Sequence, residues 1–291
     1  MTCLNCGSGK TGIYIKGTVD FNKILDIQYK ITEANSGVYG DIYRCKECDF
    51  YFVDRISGTN KFNEYYSTQP LDKFYIKDEA GRRKAFSRII SKIKSLKPDF
   101  KKVLDIGCGP GFFLAEMDKE GADVSGLEVS GESVDFAKKV LNLPNIFQGS
   151  DVDIDRLFRD SFFDVITALD VIEHVQDTKS VFRNAGKKLK KGGLLVITIP
   201  IIDSISAKIS GRYWHALVPS HINYFTFRSL EKMSGVLGYR LLAKRWHRKY
   251  LTISYLIRRL VKKNNLPLPK IFDIIIPFNL FDEAEIYFEK I

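Results

Sequence analysis

From residue 101 onward the chain alternates short apolar runs with longer segments in which apolar positions recur at helical spacing. The runs predict strands at 102–106, 123–128, 145–148, 163–169 and 193–199, and the longer segments predict helices that begin near Phe112, Gly131, Asp177 and Arg228. A closing segment, 282–290, alternates after a turn and predicts a last, antiparallel strand. This order is typical of right-handed βαβ units, so we expect an α/β fold with a mostly parallel sheet.

Four cysteines near the N-terminus form two Cys-x-x-Cys pairs, Cys3 with Cys6 and Cys45 with Cys48. The segment between them has alternating apolar positions, which favours hairpins. Two thiolate pairs on adjacent hairpins would complete a tetrahedral zinc site without an open position, so we expect a structural metal rather than a catalytic one. Disulfides are the competing interpretation. They are disfavoured because the chain shows no export leader, and thiols stay reduced in the cytoplasm.

Residues 59–100 are predicted to connect this segment to the α/β domain. They begin with an aromatic cluster, Phe62, Tyr65, Tyr66, Phe74 and Tyr75. A basic helix follows, and its apolar positions Ala85, Ile89, Ile90, Ile93 and Leu96 share one face. We expect this helix to pack on the sheet with its charges in solvent, while the aromatic cluster has the alternative role of lining an entrance to a ligand site.

Composition places the chain among ordinary globular proteins, with 291 residues, 45% hydrophobic content and a net charge of +10. No apolar run approaches the ~18 residues needed to cross a bilayer, so we expect a cytoplasmic protein. The positive charge is concentrated between Glu231 and Asp273, where eleven Lys or Arg residues occur without an acid. Near-helical apolar spacing over 251–261 predicts a helix there, which either packs on the sheet, contacts an anionic membrane through 240–263, or binds a phosphorylated glycan or nucleotide sugar.

These patterns predict three parts. They are a zinc-binding segment at 1–58, an aromatic and basic helical connector at 59–100, and an α/β domain at 101–291 with an acceptor cap around 200–227 and a basic insertion around 247–275.

A glycine loop follows the first predicted strand of the domain, with glycines at 107, 109 and 111. Glycine lets the backbone turn sharply and leaves no side chain between the main chain and a ligand. The spacing is G-x-G-x-G, and Phe112 holds the place of the third glycine of a dinucleotide site. The sequence therefore predicts a nucleotide-type site of another kind.

Acidic residues stand where the next strands end, and ligands of open α/β sheets lie beyond those ends. Glu128 ends the second strand, 17 residues after Gly111, at a suitable place to accept hydrogen bonds from both ribose hydroxyls. Asp151 follows the third strand and is preferred to Asp153 as the residue that contacts adenine. Asp170 follows the fourth strand.

Taken together, these motifs resemble the class I methyltransferases that use S-adenosylmethionine. The resemblance covers 101–246 and rests on Asp105-Ile-Gly-Cys-Gly-Pro-Gly111, Glu128, Asp170-Val-Ile-Glu-His174 and Gly192-Gly-Leu-Leu-Val-Ile197. It implies a Rossmann-like sheet of seven strands, mostly parallel with the last strand antiparallel, beside a small zinc-ribbon-like module. A narrower resemblance, to bacterial methyltransferases of surface-polysaccharide and sugar-modifying pathways, rests on the four cysteines, Tyr65-Tyr66, Gly211-Arg-Tyr-Trp-His215 and His221-Ile-Asn-Tyr-Phe-Thr226.

The resemblance also implies the cofactor-binding residues. They are Asp105, Gly107, Cys108, Gly109, Gly111, Phe112, Glu128, Val129, Asp151, Leu169 and Asp170. The three glycines would approach the methionine and ribose parts of the cofactor, and Asp170 would lie near the reacting methyl group.

An acceptor hydroxyl needs a base with a pKa near the working pH, and the chain has four histidines. His221 lies in the region that commonly caps the acceptor site in the resembling family and is predicted to be the general base, with His174 as the second candidate. Tyr213 and Trp214 would form an apolar wall for the acceptor, together with Tyr224. The sugar C-methyltransferases carry a Tyr-His-Glu-His stretch of which only His221 is present, so O-methylation is favoured.

The predicted function is methyl transfer from S-adenosylmethionine to a hydroxyl of a sugar or lipid-linked glycan precursor, in the cytoplasm or at the inner face of the membrane. An RNA methyltransferase is the alternative. Against it, this chain lacks the Asn-Pro-Pro-Tyr run of base-methylating enzymes, and aromatic residues do not interleave with the few basic residues of the zinc segment. A quinone-like or other small-molecule acceptor is the third possibility. A noncatalytic zinc adaptor is the weakest, since it would not need the glycine loop and Glu128 together.

Overall fold

A computed structural model describes residues 1–19, 37–54, 71, 73–261 and 266–291. The predicted aromatic residues Phe62, Tyr65 and Tyr66 lie outside these ranges, and of Phe74 only the backbone is described. The strands are β1 (Thr11–Ile15), β2 (Ile42–Cys45), β3 (Tyr51–Val53), β4 (Lys102–Ile106), β5 (Asp123–Glu128), β6 (Ile146–Gln148), β7 (Phe163–Leu169), β8 (Leu189–Pro200), β9 (Asn223–Tyr224), β10 (Tyr239–Trp246), β11 (Lys249–Thr252), β12 (Ile275–Phe278) and β13 (Glu283–Lys290).

The α-helices alternate with these strands. They are α1 (Lys73–Lys77), α2 (Glu79–Leu96), α3 (Phe112–Lys119), α4 (Gly131–Lys139), α5 (Ile154–Leu157), α6 (Thr178–Lys188), α7 (Ile205–Ser210), α8 (Phe227–Val236) and α9 (Ile253–Leu260). Several begin at side-chain caps that the sequence provides. The hydroxyl of Ser130 accepts the Ser133 N–H at the start of α4, and the carboxylate of Asp177 accepts the Ser180 N–H at the start of α6.

The central sheet has seven strands in the order β10-β13-β8-β7-β4-β5-β6. Neighbouring strands from β8 to β6 run parallel, whereas β13 runs antiparallel to both β8 and β10. The fold class predicted from the sequence is confirmed. Strand β8 is longer than predicted, and β10 had no predicted counterpart.

The charges of β10 explain why it was missed. Two of its three basic residues stand opposite acids of β13, so Arg240 bonds to Glu289 and Arg245 to Glu285 across the antiparallel pair. Opposite charges on facing positions stabilise a strand pair, but they remove the apolar alternation by which a strand is recognised.

Helix α2 packs on the sheet through the apolar face that its sequence predicted. Ala85, Ile89, Ile90 and Ile93 are buried, and the three isoleucines belong to one cluster with Val103 and the α3 side chains. Full burial of each such side chain contributes about 1.5–3 kcal/mol. The basic side chains of this helix lie outside that buried set.

A second sheet joins the cysteine segment to the region after β8, in the order β1-β2-β3-β9. Tyr51 of β3 pairs with Tyr224 of β9, and the rings of Phe50 and Phe225 lie 4.8 Å apart between centroids. The predicted acceptor cap is therefore continuous with the N-terminal segment through a shared sheet.

Strands β11 and β12 pair antiparallel and, with α9 between them, form a cap subdomain, of which residues 249–261 and 266–278 are described. The helix predicted over 251–261 is wrong at its start, because Leu251 lies in β11 and the helix begins at Ile253. A short apolar run cannot distinguish a strand from a helix turn by spacing alone. Lys262 and Lys263 lie outside the described residues.

The basic region has acidic partners in three dimensions. Besides the two arginines of β10, Lys244 bonds to Glu231 and Lys249 to Glu283. Contact of 240–263 with a membrane stays a prediction. Among the described residues no helix combines the length and apolarity that crossing a bilayer requires.

Candidate active site

The glycine loop leaves β4 in a backbone conformation that suits glycine. Gly107 has φ of +71°, and a Cβ at this position would lie 2.5 Å from the Cγ2 atom of Val171. Any larger residue would meet both a strained backbone and a steric clash. The loop therefore passes close beneath the turn that follows β7.

Glu128, at the end of β5, holds this loop in place. One carboxylate oxygen accepts the Gly109 N–H at 2.8 Å and the other accepts the Ser130 N–H, also at 2.8 Å. Burial raises the pKa of Glu128, and the two N–H donors oppose that rise. Each oxygen keeps a further lone pair, so the carboxylate can accept two more hydrogen bonds from a ligand.

Asp170 lies immediately after β7 with φ of +56°, a conformation rare outside glycine. Thr198 of β8 supports it twice, because the threonine Oγ1 accepts the Asp170 N–H at 2.9 Å and donates to its Oδ1 at 2.6 Å. Although burial alone would raise the pKa of Asp170, the charge of Lys249 and the Thr198 hydroxyl hold it below its usual value. A carboxylate in a strained turn, held ionised, is typical of a functional site.

Two histidines and a glutamate meet next to Asp170. The rings of His174 and His221 lie 4.7 Å apart at 75°, and ligand atoms of Glu173, His174 and His221 all lie within 4.8 Å of one another. The Nδ1 atom of His174 lies 2.9 Å from the Ser220 carbonyl. Burial lowers the pKa of His174 and lowers that of His221 further, so both rings are neutral at pH 7.

A single cavity of about 730 Å³ connects these groups. At one end it is lined by Gly107, Gly109 and Glu128, and at the other by His174 and His221, with Asp170 between them. The cavity lining also includes a set of apolar and aromatic side chains: Ala85, Phe86, Leu251, Tyr255, Leu256, Phe278 and Leu280. Its size is typical of a small-molecule site.

Nine predicted site residues line this cavity. They are Gly107, Gly109, Glu128, Val129, Asp151, Leu169, Asp170, His174 and His221. Asp151 lines the cavity, whereas Asp153 accepts the Ser150 N–H in a helix cap.

Four predicted cofactor residues lie behind the lining instead. Asp105 is buried and accepts a 2.5 Å hydrogen bond from the Thr167 hydroxyl. Cys108 points at Gly126 in the core, Gly111 packs against Ala137 where α3 begins, and the buried ring of Phe112 stacks beside Tyr75. These four residues shape the loop from beneath.

The three predicted acceptor residues do not line the cavity, as far as the described residues define it. Trp214 is buried with Tyr224 in the core of the second sheet, where its Nε1 donates to Asp282. Tyr213 is 71% exposed, and its hydroxyl bonds to Arg212. Large aromatics near a loop are more often core residues than ligand contacts, and Trp214 follows that tendency.

Several lining residues were not predicted. Tyr75 of α1 lies over the glycine loop, and the guanidinium of Arg82 stacks on its ring at 3.6 Å. Lys249 comes from the cap subdomain, and its pKa is raised because Glu283 and Asp170 outweigh its burial. The aromatic cluster predicted from the sequence included Tyr75, whereas no local pattern indicated that Lys249 would line a site.

The four N-terminal cysteines form a separate cluster. All four sulfur atoms lie within 4.8 Å of one another, with Cys3 and Cys48 3.7 Å apart and Cys6 and Cys45 3.5 Å apart. Tetrahedral zinc with Zn–S bonds of about 2.3 Å requires S···S distances of about 3.8 Å. The distances fit zinc, and all four cysteines are free in this structure, since an S–S bond needs about 2.05 Å.

The cofactor end of the cavity fits S-adenosylmethionine on its own geometry. Glu128 presents two oriented oxygens to a vicinal diol, and Gly109 places bare backbone next to it. Ser150 and Asp151 also belong to the lining.

Residues 79–244 match the family described as "Methyltransferase domain". A ubiquinone biosynthesis O-methyltransferase of Erwinia tasmaniensis is 36% identical over 98 residues, and one of Idiomarina loihiensis is 35% identical over 100. Each match covers 32% of this chain and 40% of the relative, so the chain spans well under half the length of the curated relatives it matches.

Solved structures of methyltransferases share the fold. An S-adenosylmethionine-dependent methyltransferase from Archaeoglobus fulgidus superposes with a TM-score of 0.52 at 19% identity, covering 75% of this chain and all of that one. Magnesium protoporphyrin IX methyltransferase from Synechocystis PCC 6803, with bound SAH, has a TM-score of 0.54 at 12% identity and covers 80% of this chain and all of its own. The chain belongs to the methyltransferase-domain family and has the class I fold of S-adenosylmethionine-dependent methyltransferases.

Proposed function

We propose that this protein transfers the methyl group of S-adenosylmethionine to a hydroxyl oxygen of a small-molecule acceptor. The observation that carries the proposal is the continuous cavity from Gly109 and Glu128, past Asp170, to His174 and His221. A donor and an acceptor bound in one cavity can be held in line, which is the main requirement of a displacement at a methyl carbon.

At the donor end, the chain provides positioning. Glu128 would accept hydrogen bonds from the ribose hydroxyls, and Asp151 would contact the adenine. The cofactor supplies an electrophilic methyl group on a positively charged sulfur. Asp170, held ionised by Lys249 and Thr198, would place a negative charge beside that sulfur and orient it toward the acceptor end.

The apolar side chains of the cavity lining, together with the two neutral histidines at the acceptor end, favour a flat, apolar ring with a hydroxyl group. The curated relatives, named for ubiquinone biosynthesis, support a quinone-like phenol. A sugar hydroxyl is supported by the narrower sequence resemblance alone, and its predicted aromatic wall lies elsewhere. An RNA acceptor has less support, because the two relatives are named for methylation in ubiquinone biosynthesis and not of RNA.

The proton of the acceptor hydroxyl must leave where the hydroxyl binds, beside His174 and His221. Two chemistries suit this pair. An imidazole nitrogen can accept the proton directly, as the sequence predicts for His221, or both rings can take part in binding a cation that acidifies the hydroxyl.

We also propose that Cys3, Cys6, Cys45 and Cys48 hold a structural zinc ion. It would stabilise β1 to β3, a segment with little apolar core of its own, and through β9 the region that carries His221.

The function is tested with methyl-labelled S-adenosylmethionine and three acceptor panels, namely phenols with apolar side chains, nucleotide sugars with lipid-linked glycans, and total RNA. We expect label in the phenols. Label in the sugars instead, or in RNA with a steep salt dependence, would overturn the acceptor class. His221→Ala should abolish transfer while the affinity for S-adenosylhomocysteine stays, and Asp123→Asn, at the far end of β5, should change neither.

A further inference from the structure

We infer that Glu173, His174 and His221 bind a divalent transition-metal ion, zinc or a first-row neighbour, with an open position toward the acceptor compartment. The inference rests on the proposed function for the role of the ion but not for its binding. Two imidazoles and one carboxylate are a ligand set that suits zinc and similar ions, and three protein ligands leave a position for a substrate oxygen.

Unpaired atoms in the cluster point to a missing partner. The Oε2 of Glu173 is buried and has no hydrogen-bond partner among the described residues, and the same holds for Nδ1 of His221. A buried polar atom left without a hydrogen-bond partner destabilises the folded protein. A single cation between them would pair with both.

The tautomers of the two histidines also fit a metal site. His174 Nδ1 donates its proton to the Ser220 carbonyl, which leaves the lone pair on Nε2. The His221 ring lies beside the Ala216 carbonyl, and its Nδ1 has no hydrogen-bond partner among the described residues, so a proton on Nε2 leaves the lone pair on Nδ1. Histidines that bind metals commonly fix their second ring nitrogen on a backbone carbonyl in this way.

Distances require only a small adjustment. The ligand atoms lie within 4.8 Å of one another, and tetrahedral coordination at about 2.1 Å brings ligands to about 3.4 Å apart. Rotations about the side-chain bonds of Glu173 and His221 provide a movement of this size.

The position of the cluster gives the ion a role. It lines the cavity at the acceptor end, adjacent to Asp170. An acceptor hydroxyl bound to the ion would have a lowered pKa and would release its proton to solvent water. Its oxygen would then form the bond to the methyl carbon as the carbon–sulfur bond breaks, with the electron pair remaining on sulfur.

The test is titration of metal-free, reduced, full-length protein with Co²⁺. We expect two ions per chain, one with the near-ultraviolet thiolate charge-transfer absorption of the four-cysteine cluster and one without it. Glu173→Gln should weaken only the second ion, by at least about tenfold. His215→Gln is the matched control, because His215 lines the same cavity outside the cluster, and it should bind both ions.

A single, thiolate-bound ion in the native protein would overturn the inference, and so would equal binding of the second ion by native protein and Glu173→Gln. Affinity for S-adenosylhomocysteine, measured alongside, shows that each variant is folded. If Glu173→Gln does not fold, His221→Asn replaces it in the titration. Methyl transfer with one ion only would leave the proposed function standing while the metal site fails. Two bound ions without methyl transfer to any acceptor panel would support the metal site and contradict the proposed function.

Discussion

The indole Nε1 of Trp214 donates a 2.8 Å hydrogen bond to Oδ2 of Asp282, across 68 positions of the chain. His215 Nε2 lies 2.6 Å from the same oxygen. Asp282 directly precedes β13, so this carboxylate ties the region after β8 to the antiparallel strand of the central sheet. The bond from Trp214 thus fixes the position of the segment in which the next residue, His215, lines the cavity.

Trp214→Phe removes the indole donor and part of a buried ring. We expect the free energy of unfolding to fall by about 2 kcal/mol, measured in urea, with the KM for the acceptor little changed. Tyr213→Phe, at an exposed ring, is the control and should be neutral. Unchanged stability with a raised KM would instead place Trp214 at the acceptor, as the sequence predicted.

Glu128→Gln exchanges one acceptor oxygen for an amide donor that would face the N–H of Gly109 or Ser130. We expect S-adenosylhomocysteine to bind about 10- to 100-fold more weakly by calorimetry, because a buried donor loses its partner and the ribose loses an acceptor. Asp123→Asn, on the same strand at the exposed end, should bind normally. Equal affinities would remove Glu128 from the cofactor site.

Gly81→Ala tests the packing of the cap subdomain on α2. A Cβ at Gly81 would lie 2.1 Å from the carbonyl oxygen of Tyr250, so β11 must shift away from the helix. We expect a loss of about 1–3 kcal/mol in stability and a raised KM for the acceptor, since Lys249 and Leu251 move with the strand. Gly235→Ala in α8 meets open space and should be neutral or slightly stabilising. Similar behaviour of the two variants would contradict the close approach.

Asp105 should make stability depend on pH. Burial raises the pKa of Asp105 to about 7, against an ordinary value of 3.8. Between these values the folded protein binds more protons than the unfolded chain, so the free energy of unfolding falls as pH rises from about 4 to about 7, by on the order of 3 kcal/mol.

Asp105→Asn keeps an acceptor for the Thr167 hydroxyl but cannot ionise. Its unfolding free energy, from urea titrations across this pH range, should lack that fall. An unaltered pH profile would show that Asp105 is ionised throughout in the folded protein.

Loss of the zinc ion should loosen the second sheet. Cys48→Ser removes one of the four thiolates, and we expect one metal ion fewer per chain by elemental analysis and faster proteolysis within 1–54. Cys108→Ser, a cysteine in the glycine loop, should retain the ion. A Cys48→Ser protein with full metal content would exclude the four-cysteine site.

Much of the donor end was predictable because its residues lie in short, local sequence patterns at the ends of strands. The carboxyl ends of parallel strands lie along one edge of a sheet, so Gly107, Glu128, Asp151 and Asp170 had to lie near one another once the strands were recognised. The spacing of the four cysteines likewise predicted their cluster, since two Cys-x-x-Cys turns on paired strands face each other.

The acceptor end depends on contacts that no local pattern records. Tyr75 reaches the cavity because α1 lies over the glycine loop, and Lys249 because β11 packs against Gly81. As a large aromatic residue, Trp214 was predicted to form a wall of the acceptor site. It is buried with Tyr224 instead, because burial depends on which distant segments cover a ring.

The sequence by itself determined the fold class, the cofactor loop and the cysteine site, because hydrophobic period, glycine conformation and ligand spacing act within a few residues. Only the tertiary structure decided which side chains surround the acceptor and that Glu173, His174 and His221 form one cluster. His221 is 47 residues from His174 along the chain, and only the folding of the region after β8 onto the turn after β7 places their rings 4.7 Å apart.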